Sequence, residues 1–283
     1  MADRKSTILA GNLLSFLTGD VVSLPNTAGS VFIALSSTLP ATDGSNFTEI
    51  PGSTGYARVA YPLGTAYWSE PSARQIHNQQ DVTFNDALEI YPSVVAFALY
   101  DAPTAGNILY YGHIDLARSI GVGDNFNIPP GKLTISETKS DNTLSKKSDY
   151  LANAQLKLLR SEIFETPSQV FLALGSDLVS TNTPTTGDIK EFDATTAPGY
   201  LRLPIPCDGS NWSITGRDAV NLLVLIFEKA TADWPQAKSY AVYKTATGMT
   251  SLLYANNFDN SKSVVLFEDD KLKIGINSIT ISE

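Results

Sequence analysis

The side chains that most often carry chemistry are scarce in this sequence. It has two histidines, His77 and His113, and one cysteine, Cys207. A zinc site needs three or four converging ligands, and a serine-histidine-aspartate triad needs a histidine beside a nucleophile in a recognisable turn. His113-Ile-Asp115 is only a weak metal pattern, and the sequence contains no nucleophile-elbow motif. We therefore predict no catalytic residues, no metal site, no cofactor and no enzymatic activity.

Acidic loops and tryptophans are the remaining candidates for contact with a glycan or a protein partner. The acidic loop around Asp43 and Glu49 loosely resembles a calcium loop but lacks the EF-hand spacing, so a solvated loop is the simpler interpretation. Tryptophans in polar segments can stack on sugar rings, although they more often fill β-sandwich cores. The candidate contact residues are Trp68, Trp212, Asp43, Glu49, Asp188 and Glu191.

A short motif occurs twice, as Gly-Tyr-Ala-Arg at Gly55–Arg58 and as Gly-Tyr-Leu-Arg at Gly199–Arg202. Its arginine can anchor a carboxylate ligand or a partner, or it can pair with a neighbouring loop while the tyrosine packs in the core. Both copies keep the motif although the loops around them differ, which favours the structural role. We expect the following residues to brace the loops: Tyr56, Arg58, Tyr200 and Arg202.

The motif belongs to a longer repeat. Residues 91–112 contain two strand-like runs around a cluster of turn formers, which predicts a β-hairpin, and residues 234–256 repeat this pattern after another aromatic-proline pair. Helical segments are expected at Ile8–Leu17, with Ser6 or Thr7 as the N-cap, and at Tyr150–Leu159. Further matches in the same order include Val31–Ser36 with Val170–Gly175, and Lys132–Ser136 with Ser278–Ser282. This order indicates a tandem duplication.

The composition supports an all-β interpretation of each copy. Apolar residues make up 43% of the chain, enough for a packed core, while charged residues make up only 17%. Many short strands separated by turns predict a mainly β protein with two tandem antiparallel β-sandwich, jelly-roll-like domains, each preceded by a short α-helix. We place the first module at residues 1–136, a polar linker at 137–149, and a divergent second module at 150–283.

Charge and hydropathy exclude several classes of partner. The net charge of −9 repels phosphate backbones and anionic membrane surfaces, so we expect no nucleic acid and no membrane insertion. The apolar segment Ile8–Leu17 is too short to span a bilayer, and a similar segment recurs inside the chain. A single cysteine forms no intrachain disulfide, so folding does not require an oxidising compartment.

The first half resembles a known family, the small tail-fibre-like virion proteins of tailed bacteriophages, of the type common in cyanophages. The resemblance covers roughly residues 6–136. The second half departs from it, with Lys244-Thr-Ala-Thr-Gly-Met-Thr in place of the Asp-Ala-Pro-Thr-Ala-Gly-Asn turn. The residues that carry the resemblance are Val31–Leu35, Glu49, Gly55–Arg58, Asn78, Phe84, Asp101–Gly112, Gly123-Asp124 and Gly131–Ile135.

The resemblance implies a structural part of the virion, either a tail fibre or a tail or baseplate component, that acts through assembly contacts. Its implied partners are other tail proteins and further copies of itself in a homo-oligomer, and its implied location is the virion tail after assembly in the host cytoplasm. Two alternatives stay open: a module that recognises host surface polysaccharide, and a capsid decoration protein. We expect the contacts at or near loops 37–54 and 175–198, with each domain binding a different neighbour.

Overall fold

The computed structural model describes residues 3–25, 29–41, 45–137, 146–181, 184–248, 250–258 and 264–283. Over these residues the chain is mainly β, built of several antiparallel sheets with two short α-helices, which confirms the predicted fold class. None of the helices described is long and apolar enough to cross a membrane.

The described residues of the first half of the sequence form α1 (Thr7–Leu14), a 3₁₀ turn at Ser15–Thr18, and nine strands. These strands are β1 (Asp3–Lys5), β2 (Ser30–Ser36), β3 (Val59–Pro62), β4 (Gln75–His77), β5 (Val82–Thr83), β6 (Tyr91–Tyr100), β7 (Ile108–Ile120), β8 (Asn127–Ile128) and β9 (Thr134–Ser136).

The second half contains α2 (Asp149–Leu156), a 3₁₀ turn at Lys157–Arg160, and the remaining strands. These are β10 (Lys146–Lys147), β11 (Gln169–Gly175), β12 (Leu203–Pro206), β13 (Trp212–Thr215), β14 (Asp218–Asn221), β15 (Leu225–Ile226), β16 (Trp234–Ala237), β17 (Ser239–Tyr243), β18 (Leu252–Asn257), β19 (Val264–Leu266), β20 (Lys273–Ile274) and β21 (Thr280–Ser282).

The chain divides into two compact units, and each includes a short segment from the other half of the sequence. Unit 1 comprises Met1–Asn12, Ser23–Thr138 and Asn153–Phe164. Unit 2 comprises Leu13–Val22, Lys139–Ala152 and Glu165–Glu283. The domain limits drawn from the sequence, 1–136, 137–149 and 150–283, stay a prediction beside this division.

Each unit is built around a five-stranded antiparallel sheet. The strand order is β1-β7-β6-β2-β3 in unit 1 and β10-β18-β17-β11-β12 in unit 2, so the two sheets have the same topology. In β2 the alternating residues Val31, Ile33 and Leu35 are all buried, as their spacing predicts. β6 and β7 form the predicted hairpin, and β7 continues well beyond the turn-proximal run that the sequence indicated.

Smaller sheets pair the remaining strands: β4 with β9 and β5 with β8 in unit 1, and β13-β14-β21, β15-β20 and β16-β19 in unit 2. A buried asparagine fastens the returning segment in each unit. Asn78 accepts from the Leu133 amide at 2.8 Å and donates to the Pro129 carbonyl at 3.0 Å. Asn221 accepts from Ile279 at 2.9 Å and donates to Gly275 at 2.9 Å.

A serine caps the N-terminus of each helix, as the sequence predicted for the first one. Ser6 Oγ accepts from the Leu9 amide at 3.1 Å, and Ser148 Oγ accepts from the Leu151 amide at 3.2 Å. Each helix ends in a 3₁₀ turn followed by a left-handed residue. At Gly19 that residue has φ +85°, a conformation that glycine adopts without a steric cost.

The described ends of the predicted linker are structured. Glu137 is buried and forms an ion pair with Lys5 at 2.8 Å. At the other end β10 and α2 begin within the predicted linker, and Lys147 forms a buried ion pair with Glu283 at 2.7 Å. The polar composition there reflects buried charge pairs as well as solvent exposure. Residues 138–145 lie outside the described part of the chain.

Candidate functional site at two braced hairpin turns

In unit 1 the Gly-Tyr-Ala-Arg motif meets the acidic loop at Glu49. Arg58 donates to Glu49 in a forked arrangement, with Nε 3.0 Å from Oε1 and Nη2 2.9 Å from Oε2. Tyr56 donates from its hydroxyl to Glu49 at 3.0 Å and accepts from the Leu35 amide in β2 at 2.9 Å. This two-point geometry fixes both position and orientation of the carboxylate.

The other edge of the Arg58 guanidinium holds the β6–β7 turn. Its Nη1 donates to the carbonyls of Ala102 at 2.8 Å and Ala105 at 2.7 Å. Its Cζ lies 3.5 Å from the centroid of the Tyr100 ring, a cation–π contact. One side chain therefore ties the acidic loop, β3's leading segment and the hairpin turn together.

The turn itself is specified by Asp101, Gly106 and Asn107. Buried Asp101 accepts from the Asn107 amide at 2.7 Å and from its side chain at 2.8 Å. Gly106 has φ +73°, and a Cβ at this position would lie 2.4 Å from Asp101 Oδ1. These contacts explain why the turn contains aspartate, glycine and asparagine at these positions.

Unit 2 repeats the brace with its own residues. Arg202 donates from Nε to Glu191 at 2.8 Å and from Nη2 at 2.7 Å. Tyr200 donates to Glu191 at 3.2 Å and accepts from the Leu174 amide at 2.9 Å. The Arg202 side chain is 5% exposed and that of Glu191 12%, whereas Glu49 in unit 1 is 29% exposed. The unit 2 ion pair is thus the more enclosed.

The turn that Arg202 holds has a different sequence from its counterpart. Arg202 donates to the carbonyls of Thr245 at 2.9 Å and Gly248 at 2.8 Å, and its Cζ lies 3.6 Å from the Tyr243 ring centroid. Because the arginine binds backbone carbonyls, the brace tolerates the change of side chains in the turn. The two arginines therefore support turns that present different surfaces.

Tyr56, Tyr200 and Arg202 each keep one protonation state in the brace. Burial raises the pKa of the Tyr56 and Tyr200 hydroxyls far above their usual range, so both stay protonated and donate to the glutamates. Burial acts against the charge of Arg202, but the hydrogen bonds and charge of Glu191 raise its pKa overall. Groups held so firmly in one protonation state are poorly suited to proton transfer near neutral pH.

The other predicted contact residues lie in different places. Trp68 and Trp212 are buried, and Trp68 Nε1 donates to the Pro62 carbonyl at 3.1 Å. The expectation that they contact a glycan or partner is corrected, because a buried ring offers no face for stacking. Asp188 is exposed and accepts from the Thr185 amide at 2.8 Å, whereas Asp43 lies outside the described residues.

The sequence alone did not predict that the rings of Tyr100 and Tyr243 would stack on the arginines, or that the Asp101 carboxylate would be buried and hold the turn. The repeated Tyr-turn pattern was a signal for the two tyrosines, since both end the first strand of their hairpins. The described residues include no group of three or more histidine, cysteine or acidic side chains arranged to hold a metal ion.

The repeated topology and brace agree with comparison to known proteins. A model of a phage fibre protein family matches two segments, residues 4–136 and 146–282, which together span most of the chain. The protein is therefore a phage fibre or virion structural protein, and the resemblance to tail-fibre-like virion proteins is confirmed. The chain belongs to the family described as podophage GP4 fiber I protein gp80. No curated protein matches it.

Proposed function

We propose that this protein is a component of a podophage tail fibre, or of the tail or baseplate that carries it, and that it acts through assembly contacts without catalysis. It assembles in the host cytoplasm into a homo-oligomer and joins other tail proteins in the virion. The observation that carries the proposal is the pair of matches to one fibre-protein family, one in each half of the chain.

A tandem duplication of one module accounts for this pattern. Three features support it: the identical strand order of the two five-stranded sheets, the two arginine braces, and the asparagines Asn78 and Asn221. The contacts that both copies of the module share lie within each unit. The hairpin turns and the acidic loops differ in sequence between the two copies. Each copy thereby becomes free to bind a different neighbour.

The arginine braces set the shape of the surfaces used in assembly. Tyr56 and Arg58 hold loop 37–54 through Glu49, and Tyr200 and Arg202 hold loop 175–198 through Glu191. We assign the two glutamates to this support and the exposed parts of the loops, including Asp188, to the contacts. Deleting residues from one loop should then abolish binding to one neighbour and leave the other intact.

Quantitative mass spectrometry of purified virions, with immunogold labelling, tests the proposal. We expect the protein in particles, with a copy number that matches fibre or tail components and with label at the tail. Label over the capsid at a copy number close to that of the major capsid protein would identify a decoration protein instead. Absence from purified particles would contradict a virion role altogether.

A further inference from the structure

Strand β7, the second strand of the unit 1 hairpin, contains a long bulge. His113 in β7 pairs with Ala96 in β6, and Arg118 pairs with Val94. Between these two pairs β7 advances by five residues while β6 advances by two. The extra residues Ile114–Ala117 therefore form a bulge away from the partner strand. Bulges of this kind re-aim side chains and end pairing, often beside functional sites. Here the bulge leaves Leu116 69% exposed.

A groove of about 550 Å³ lies beside this bulge. Leu116 and Pro129 supply its exposed apolar surface, while Arg118 and Lys132 are exposed at its sides. Neither cation has an ion-pair partner among the residues that the structure describes. Asp115 also lines the groove. The groove thus combines an exposed aliphatic side chain with two cations, on a protein whose net charge is −9.

This combination fits a peptide segment that carries an apolar side chain beside carboxylates. A sugar ring would need an accessible aromatic face, but the two phenylalanines of the groove, Phe97 and Phe126, are buried. A small anion would use the cations and leave Leu116 in water. An acidic turn with an exposed aromatic residue would pair with both cations of the groove and would also cover its exposed apolar surface.

Unit 2 presents such a turn at Phe267–Asp270, which we call the acidic turn. Phe267 is 60% exposed, and Glu268, Asp269 and Asp270 are all exposed. The backbone of the turn is fixed by three hydrogen bonds. The Asp269 amide donates to the Ala230 carbonyl, the Ala230 amide donates to the Asp270 carbonyl, and the Glu268 amide donates to Asp233 Oδ1 at 3.0 Å. Lys229 forms an ion pair with Asp269 at 2.6 Å. Glu268 is exposed to solvent and does not share this lysine.

The groove and the turn are each specific to one unit. At the place of the acidic turn, unit 1 has Gly121-Val-Gly-Asp124, joined to Ala87 by the same backbone bonds but carrying one acid. At the place of the groove, unit 2 has a cavity of about 260 Å³ lined by Lys273 and Ser278 among others. Self-association through these features is therefore directional, from unit 2 of one copy to unit 1 of the next.

We infer that the groove beside Ile114–Ala117 binds the acidic turn Phe267–Asp270 of a second copy of this chain. The inference rests on the proposed self-assembly of the fibre protein and names its contact. Phe267 packs against Leu116, and Glu268 and Asp270 face Arg118 and Lys132. Because the two surfaces differ, the contact is heterologous, and it produces a ring where the rotation closes and a filament where it does not.

Two full-length variants test this contact by sedimentation velocity. Arg118→Glu with Lys132→Glu disables the groove, and Phe267→Ser with Glu268→Lys disables the turn. We expect each variant to associate at least about tenfold more weakly than the wild type. The matched controls are Lys273→Glu in the unit 2 cavity and Val122→Ser in the unit 1 turn, and both should associate as the wild type does.

Mixing the two disabled variants gives the sharpest result. The groove variant keeps its acidic turn and the turn variant keeps its groove, so the mixture should form one-to-one heterodimers that grow no further. Normal association of either variant, failure of the mixture to pair, or a wild type that stays monomeric at every concentration would each overturn the inference. Detection in virions is measured separately, so failure of this contact is distinguishable from failure of the proposed virion role.

Discussion

The two units keep the same brace and use it to hold different turns. Arg58 and Arg202 each make a forked pair with a glutamate, stack on a tyrosine and donate to two turn carbonyls. The turns themselves share neither the aspartate nor the asparagine that organise residues 101–107. Because each arginine binds backbone carbonyls of its turn, the same brace supports turns whose side chains differ.

Breaking the buried lysine–glutamate pair should cause the largest loss of stability expected in either unit. Lys147 and Glu283 are 4% and 0% exposed, whereas Lys5 and Glu137 are 9% and 2% exposed. Lys147→Met should lower the free energy of unfolding by about 3–5 kcal/mol, because it removes the cation that pairs with a buried carboxylate. Lys5→Met should cost less. Urea unfolding at neutral pH measures both, and equal losses would show that the small difference in enclosure is unimportant.

Removing the brace arginines should have the next largest effect. Arg58→Ala and Arg202→Ala should each lower the free energy of unfolding by roughly 1–3 kcal/mol, since a glutamate that is at least partly buried loses its charged donor. The loss should be greater for Arg202 because Glu191 is less exposed than Glu49.

Thermal unfolding measures this difference, with Arg58→Lys and Arg202→Lys as controls that keep the charge and lose the fork. An Arg58→Ala protein that melts like the wild type but no longer assembles would contradict the supporting role. The arginine would then itself be the contact.

The sequence predicted the supporting contacts better than the surface ones. The motif at Gly55–Arg58 recurs because its arginine binds a glutamate and backbone carbonyls, which leaves a pattern that a repeat preserves. Trp68 was misjudged because its polar neighbours suggested a loop, while its ring packs edge-on against Tyr61 at 5.2 Å. Local composition does not reveal such a tertiary contact.

The helices and the linker show the same limit. Ser6 and Gly19 mark the start and end of the first helical segment because capping depends on neighbouring residues. Each helix is divided between the two units, and this division depends on long-range packing. It therefore could not be predicted from neighbouring residues in the sequence. Lys147 looked like part of a solvated linker because its partner Glu283 lies far along the chain.

A glycine substitution in each turn should give a smaller difference. Gly106 and Gly248 both have positive φ, so alanine at either position should cost about 1–2 kcal/mol for the left-handed conformation. A Cβ at Gly106 would also collide with Asp101 Oδ1, whereas a Cβ at Gly248 would meet no described atom within 4 Å. Gly106→Ala should therefore be the more destabilising in chemical unfolding. Equal losses would mean that the unit 1 turn relaxes around the new methyl group.

The effect that is smallest at neutral pH, and that grows only in alkali, concerns Cys207, an ionisable residue whose position in unit 1 is occupied by Leu63. Cys207 donates from its amide to the Ser168 carbonyl as Leu63 does to Gly29 in unit 1. Burial raises the pKa of the Cys207 thiol from 9.0 to about 12.

The folded state therefore disfavours the thiolate, and the stabilisation is complete below pH 9.0 and is lost as the pH rises toward about 12. The loss has an upper limit of about 1.4 kcal/mol per pH unit. Serine at position 207 does not ionise. Between neutral pH and about pH 12, the Cys207→Ser variant should therefore lose less free energy of unfolding than the wild type loses. The buried tyrosines contribute equally to both proteins, so the difference isolates the thiol. Parallel melting curves from neutral to alkaline pH would show instead that Cys207 reaches water before the unit unfolds.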